Sequence, residues 1–415
     1  MAIRRFQLSP DRAATYVSDM KRISADIVIA GGGVAGLSAA AAFGAAGHSV
    51  VIVDPAPPIT DAATDGADLR TTAFLQPARA FLDRAGVWDA LAPHATPLQV
   101  MRIVDASGDG TPRVTADFDA ADISDLPFGW NLPNWLLRRE LVARLAALAT
   151  VDFRPGTGFR SLLARAAEAL VTLTDGTQVR CKLLIGADGR SSPVRQAAGI
   201  GVKTTRYGQK ALTFAVTHDM PHANVSTEVH RAGGPFTLVP LPDHEGRPCS
   251  AVVWMTDGPE VQRLAALPED AFAAAATDRS AGVQGDLALA SRRTVWPIIS
   301  QIADRLTAQR TALVAEAAHV MPPIGAQGLN MSLKDLDTLL DLCGKGDIGS
   351  PQMLAAYARR RHPDIRLRVA GVDALNRASI AGSPLLQDLR VAGIKALHGA
   401  APVRKGLMRL GLGAV

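Results

Sequence analysis

Cysteine is scarce: Cys181, Cys249 and Cys343 are the only thiols in 415 residues. Three scattered cysteines cannot make a paired disulfide framework and lack zinc-site spacing. No metal is expected, and a reducing compartment is. No secretory leader is expected either. Met1 to Ser24 carries arginines but no apolar core, and Met20-Lys21-Arg22 would also serve as a start. One stretch, Ile27 to Val53, lacks Asp, Glu, Lys and Arg over a length that could span a bilayer. Its six glycines, acidic flanks and β-branched ends argue against a span. A nucleic-acid groove is excluded by where the charge sits. Residues 1–26 are net +2 and residues 385–415 net +4, so with +5 overall the middle is −1. No internal repeat or low-complexity tract occurs.

What is present is a hydrophobic fraction of 48 %, enough for a large core in two or three domains. The chain is organised around Asp26 to Asp54, which reads as strand, tight turn, helix, strand. Gly31, Gly33 and Gly36 fit G-x-G-x-x-G, with Val34 and Ala35 opening the helix. Gly31 permits the sharp turn, Gly33 lets a pyrophosphate approach the backbone, and Gly36 lets helix and strand pack closely. The helix start offers free N–H groups to phosphate. Asp54, eighteen residues beyond Gly36, is placed to accept ribose hydroxyls. This unit predicts a dinucleotide site without choosing between FAD and NAD.

Beyond it, Leu69 to Phe74 carries Arg70, which reads equally as a surface residue or an anion contact. Ala78 to Leu91 is helical with a break at Gly86, and Asn134 to Leu148 is a strong helix. Leu170–Leu173 and Val179–Ile185 flank Asp175-Gly176 as a hairpin. The second strand runs into Asp188-Gly189, a site-like turn or a plain helix cap. Short β runs between residues 210 and 300 predict an antiparallel sheet that serves as a substrate platform. Thr311 to His319 is a strand running into Glu316. Pro323, Gly325, Gln327 and Gly328 then form a rigid, glycine-bearing helix start that aims N–H groups at a ligand. His319 alone reads as a packed histidine more readily than a catalyst. After Pro384 an apolar face (Leu385, Leu386, Leu389, Leu397, then Val403, Leu407, Leu410) lies opposite Arg404, Lys405 and Arg409. That pattern suits an anionic membrane surface or packing on the chain's own domain.

The glycine turn, the Asp188-Gly189 motif and the Glu316–Asn330 motif, in this order, resemble the FAD-dependent aromatic hydroxylases. LRTTAF at 69–74, GWNLPNWLL at 129–137, YGQKA at 207–211, GPFTLVPLP at 234–242, AVVWM at 251–255, the Tyr357–Arg361 helix and VDALNR at 372–377 narrow this to the ubiquinone-biosynthesis hydroxylase family. The likeness runs over roughly residues 24 to 412. It implies an α/β fold: a Rossmann-like FAD-binding domain of the glutathione-reductase type, an inserted antiparallel substrate sheet and a helical C-terminus. The expected layout is an extension at 1–23, an FAD domain from 24–76, 150–202 and 305–350, a substrate domain from 77–149 and 203–304, and helices at 351–415.

The resemblance also implies roles. Gly31, Gly33, Val34, Ala35 and Gly36 would hold the FAD pyrophosphate, Asp54 the adenosine ribose, and Arg70 would contact FAD. Asp188 and Gly189 would meet the flavin region. Glu316, Pro323, Gly325, Gln327, Gly328, Leu329 and Asn330 would hold the ribityl chain and set a helix against the isoalloxazine. The implied reaction hydroxylates a polyprenylated phenol through a C4a-hydroperoxyflavin, using O2 and NAD(P)H or another donor. No second glycine motif exists for the nicotinamide, and no residue stands out as a catalytic base. A cytoplasmic location is expected, with peripheral contact to the inner face of the membrane and to a quinone-biosynthesis complex. Three departures stand out. Ala315-Glu316 replaces the family's Gly-Asp, and Ala326 and Ser332 replace glycines. FAD then binds loosely or in an adjusted pocket. The rival reading is a non-catalytic flavin-fold subunit. A reductase acting on prenyl chains or a halogenase is a third; no lysine-bearing halogenase signature is found.

Overall fold

In the computed structural model, which describes residues 21–380 and 382–412, the glycine-rich unit is strand–helix–strand. Ile27–Ala30 and Val50–Asp54 pair in parallel, and helix α1 (Val34–Ala45) crosses between them. The run that could have spanned a bilayer is instead buried within the protein. Ile27, Ile29, Leu37 and Phe43 are fully buried, because an uncharged strand covered on both faces needs no alternation. No helix among the described residues is long and apolar enough to cross a membrane.

The central sheet has six strands, in the order Thr307–Ala308, Thr311–Leu313, Leu183–Gly186, Ile27–Ala30, Val50–Asp54 and Val151–Pro155. The ends of Ile27–Ala30, Leu183–Gly186 and Thr311–Leu313 therefore lie side by side, with Gly186 in register with both Ala30 and Leu313. That register gathers three distant motifs at one sheet edge, where ligands of such sheets bind. The run expected as a single strand from Val179 to Ile185 is divided at Lys182. Gln178–Cys181 stays in the hairpin sheet beside Arg22–Ser24, and Leu183–Gly186 enters the central sheet. Residues 1–20, most of the expected N-terminal extension, lie outside the described residues.

Seven β runs from 202 onward, with Val100–Asp105 and Val114–Asp119, form a nine-stranded sheet, antiparallel except where Val225–Arg231 runs parallel to Val100–Asp105. One of its faces buries Leu212, Phe214, Val229, Phe236 and Trp254 against the helices Gly258–Ala265 and Glu269–Arg279. The other face turns toward the central sheet. Helix α2 (Asn134–Ala146) packs on α1. Helices α3 (Gln327–Cys343) and α4 (Pro351–Ile380) pack together, followed by α5 (Pro384–Gly399) and α6 (Ala401–Leu412).

A buried carboxylate ties these parts together. Asp335 on α3 lies 2.7 Å from His319 Nε2 and accepts Arg361 Nε of α4 at 2.7 Å. The Tyr357 hydroxyl on α4 donates to the Leu313 carbonyl at 2.9 Å. Burial pushes the Asp335 pKa up, but the His319 and Arg361 partners outweigh it and hold the group below its ordinary 3.8. A carboxyl depressed in the fold stabilises fully above 3.8, and the contribution is lost as pH falls from there through the folded value. Arg361→Ala leaves the carboxylate short of a partner and should lower stability in urea by about 3–5 kcal/mol. The deficit should shrink in acid, below the ordinary carboxyl range. A loss under about 1 kcal/mol at neutral pH would show that the network supports little.

Candidate active site

Two helix N-termini open on one cavity of about 1330 Å3. Helix α1 starts after Gly33 and α3 after Ala326, and neither has a side-chain cap among the described residues. Their first-turn N–H groups and partial positive charge are therefore available to anions. The cavity exceeds the usual ~300–1,000 Å3 of a small-ligand pocket, so it has room for a dinucleotide and a second molecule.

Gly31, Gly33, Val34, Ala35 and Asp54 line one end. A Cβ on Gly33 would meet no atom within 4 Å, so the glycine faces open space, as a phosphate cradle requires. Gly36 is different. It is off the wall, and a Cβ there would collide with the Gly31 carbonyl, so its task is close packing of turn and helix. The Asp54 carboxylate accepts the Gly32 N–H at 2.5 Å and the Ala56 N–H at 2.9 Å while lining the cavity.

Asp188 and Gly189 line the middle. Asp188 accepts the Ser192 hydroxyl at 2.5 Å and the Val194 N–H at 2.9 Å, so it also caps the short helix Pro193–Ala197. Burial raises its pKa despite these donors. Buried Arg195 donates to the carbonyls of Ala317 at 2.9 Å and Arg190 at 2.8 Å, which pins this turn to the Glu316 segment. Burial lowers the Arg195 pKa.

Arg70 lies on the wall, fixed from two sides. Its guanidinium donates to both oxygens of Asp68 at 2.7 Å and stacks 3.8 Å from the Trp296 ring centroid. Burial alone would lower its pKa; Asp68, with a smaller effect from Glu316, raises it. Glu316 is exposed on the cavity wall. His319 also reaches the wall, but its ring is held by Asp335, as a packed histidine.

Pro323, Gly325, Gln327, Gly328 and Leu329 line the cavity at the start of α3. Asn330 does not. Its side chain accepts the Leu75 N–H at 2.8 Å and donates to the carbonyls of Ala73 at 2.7 Å and Ala326 at 2.6 Å. It clamps the Arg70-bearing segment to the first turn of α3. Ala315 and Ala326 both adopt left-handed backbone, at φ 53° and 55°. Glycine is at ease in that conformation and other residues are strained.

Residues 24–370 match the family model described as "FAD binding domain". Ubiquinone hydroxylase UbiL of Rhodospirillum rubrum is 33 % identical over 396 residues, 94 % of this chain and 90 % of that protein. The chain belongs to the ubiquinone-biosynthesis hydroxylase family. The 3-demethoxyubiquinol 3-hydroxylase of Escherichia coli (strain K12) is 27 % identical, over 94 % of this chain and 98 % of its own. Among solved structures, p-nitrophenol 4-monooxygenase PnpA from Pseudomonas putida DLL-E4 superposes with a TM-score of 0.77 at 20 % identity. It covers 95 % of this chain and 99 % of its own, a likeness of fold. This hydroxylase is therefore a flavoprotein monooxygenase whose cofactor is FAD, and its reaction needs a substrate, O2 and a reductant.

Sequence reasoning missed Asp68, Trp296, Arg195 and Arg361. Asp68 had a signal, a carboxylate two residues before Arg70; Arg195 and Trp296 act across more than a hundred residues and Arg361 across 26, between two helices, and these leave no local trace. Two substitutions separate cradle from scaffold. Gly33→Ala should leave the melting temperature of the FAD-free protein unchanged and weaken FAD binding. Gly36→Ala should lower that temperature as well. Ala326→Gly should raise stability by up to about 1 kcal/mol, the relieved strain less the entropy of glycine. An unchanged or lowered stability would show that Ala326 is not strained.

Proposed function

We propose that this hydroxylase inserts oxygen into the ring of a phenol bearing a long polyprenyl tail, within ubiquinone biosynthesis, while docked on a membrane. NAD(P)H is the proposed reductant. The carrying observation is that one cavity runs from the glycine turn, past α3 and the nine-stranded sheet, to a leucine-rimmed opening between the C-terminal helices.

FAD, when bound, supplies the reducible ring system that activates O2. Everything else falls to the chain. The N–H groups after Gly33 hold the diphosphate, and Asp54 receives the adenosine ribose. Arg70, rigid between Asp68 and Trp296, offers a fixed positive charge. The α3 N-terminus, from Gly325 to Leu329, favours the negative charge that a reduced flavin carries. The apolar wall keeps water from the reacting atoms.

Five leucines both line the cavity and remain exposed: Leu367 and Leu375 on α4, Leu397 on α5, Leu407 and Leu410 on α6, at 42–67 %. They give an isoprenoid tail a route out. Leu385, Leu386 and Leu389 extend the same apolar surface, at 50–68 % exposed.

The sequence left two readings of these helices open, an anionic membrane surface or packing on the chain's own domain. The basic side chains pack on the body: Arg404 and Lys405 pair with Asp122 at 3.0 and 3.9 Å, and Arg390 with buried Asp105 at 2.6 Å. His398 approaches the Asp117 carbonyl at 3.1 Å. The basic face holds the helices to the body, and the leucines face outward. Lys395, Arg366 and Arg409 on the same three helices are exposed and available to anionic headgroups.

Purified protein should show flavin absorption at one equivalent after FAD is added and should hydroxylate prenylated phenols; no bands in excess FAD would favour the non-catalytic subunit. Leu386→Glu combined with Leu389→Glu should abolish cosedimentation with anionic vesicles and spare turnover of a short-tailed phenol. Full vesicle binding by that variant would exclude the leucine face as the docking surface.

A further inference from the structure

No catalytic base is apparent in the sequence, yet the substrate-side wall of the cavity carries a buried carboxylate. The exposed face of the nine-stranded sheet is built mainly from apolar and hydroxyl side chains, such as Met101, Ile103, Thr237 and Val239. Glu228, on Val225–Arg231, is the sheet's one carboxylate on that wall among the described residues. It stands in register between Ile103 and Thr237, well inside the sheet. Its residue is 6 % exposed. A carboxylate this deep requires a partner, and His230, two residues on and on the same side of the strand, supplies it: Nε2 lies 2.8 Å from Oε1. His230 is 8 % exposed, and its Nδ1 is buried without a hydrogen-bond partner among the described residues. No other side chain pairs with Glu228 among the described ion pairs. The nearest charges in register are Asp105, opposite His230, and Arg390 of α5, which is engaged by Asp105 at 2.6 Å.

We propose that Glu228, oriented by His230, accepts the proton of the substrate's ring hydroxyl. The inference rests on the phenol reading given above. As an OH group from the activated oxygen bonds to a ring carbon and its O–O bond breaks, the ring hydroxyl's proton moves to the carboxylate and that O–H electron pair feeds the ring. The attacked carbon then loses its hydrogen as a proton, which the first ring oxygen takes up as the ring regains aromaticity. The carboxylate passes its proton to the oxygen left behind, which departs as water, so the carboxylate ends as it began; the oxidising equivalents come from O2 and the reductant of the established reaction. Glu228 touches the substrate and is a catalytic residue; His230 is a positioning residue.

The test uses FAD-loaded protein with Glu228→Gln, which keeps the side chain's shape, and Glu228→Asp, which keeps its charge. Two readouts are taken. One is the absorption of a chromogenic phenol on binding, which moves to longer wavelength when its hydroxyl gives up or shares its proton. The other is kcat and KM for a prenylated phenol, with flavin reduction by NAD(P)H measured separately. The expected result is a shifted band with wild type and Glu228→Asp and none with Glu228→Gln. For Glu228→Gln, kcat should fall about 100-fold, the lower range for general-base loss, with flavin reduction unchanged. An O-methylated analogue, which has no proton to give, should bind wild type and Glu228→Gln alike. An unshifted band with wild type, or kcat within threefold in Glu228→Gln, overturns the assignment and leaves the hydroxylase reading standing. Wild type that binds no phenol overturns both. If Glu228→Gln fails to fold, loss of the shifted band in a folded Glu228→Asp protein overturns the assignment, and its retention supports it.

Discussion

The rest of the structure depends on where Asp335 sits. One buried carboxylate receives His319 from the segment after the central sheet and Arg361 from α4, while projecting from α3 itself. His319–Val320 pairs with Thr294–Ala303 of the large sheet, so the same histidine joins central sheet, large sheet and both helices. The first turn of α3 bounds the cavity at its centre. Any tilt of α3 would move its N–H groups relative to both walls. The cost of burying Asp335 is offset only while both partners remain in place, and this restricts the helix to one seating.

A second constraint is conformational. The chain must reverse direction at residues 315 and 326 to bring Glu316 and α3 to the cavity, and both positions are left-handed. Alanine occupies each. The expectation that extra bulk would loosen FAD or reshape its pocket turned on steric contact with the ligand. The backbone angles show a different effect: the alanines keep the turn and carry its strain. Asn330 offsets part of this by bonding the Ala326 carbonyl and both polar groups of the neighbouring strand. It was expected at the cofactor; its side chain supports the turn instead.

Much of the fold is legible in the sequence because its signals are local. The glycine spacing, the β-branched runs around it and the Asp175-Gly176 hairpin each act within a few residues. The order of strands is not local, and neither is the break at Lys182, where one apolar run serves two sheets and Lys182 pairs with Asp26 at 2.9 Å at their junction. At the site, the residues on turns are readable, since phosphate binding demands a particular backbone. Arg70 is readable only as an open question. Its fixed position comes from Asp68 nearby and Trp296, more than two hundred residues away. Glu228 and His230 are visible as a two-residue spacing in a strand, but the alternation of a strand buried on both faces does not say which face meets a ligand.

The C-terminal helices show why a charge pattern alone cannot orient a helix. An amphipathic stretch presents two faces, and either can be the one that meets the protein. Here the body supplies the decision. Asp105, Asp117 and Asp122 all lie on or beside the outer strands of the large sheet, an acidic edge with few cations of its own. Arg102 takes Asp117, and Arg390, Arg404 and Lys405 take the others. Buried Asp105 in particular would carry a heavy desolvation penalty without Arg390. Satisfying that edge turns the leucines of α5 and α6 outward and places three of them, Leu397, Leu407 and Leu410, beside Leu367 and Leu375 of α4 around the mouth of the cavity. An electrostatic requirement at the sheet edge thus builds an apolar entrance, and the entrance is continuous with the wall on which Glu228 lies.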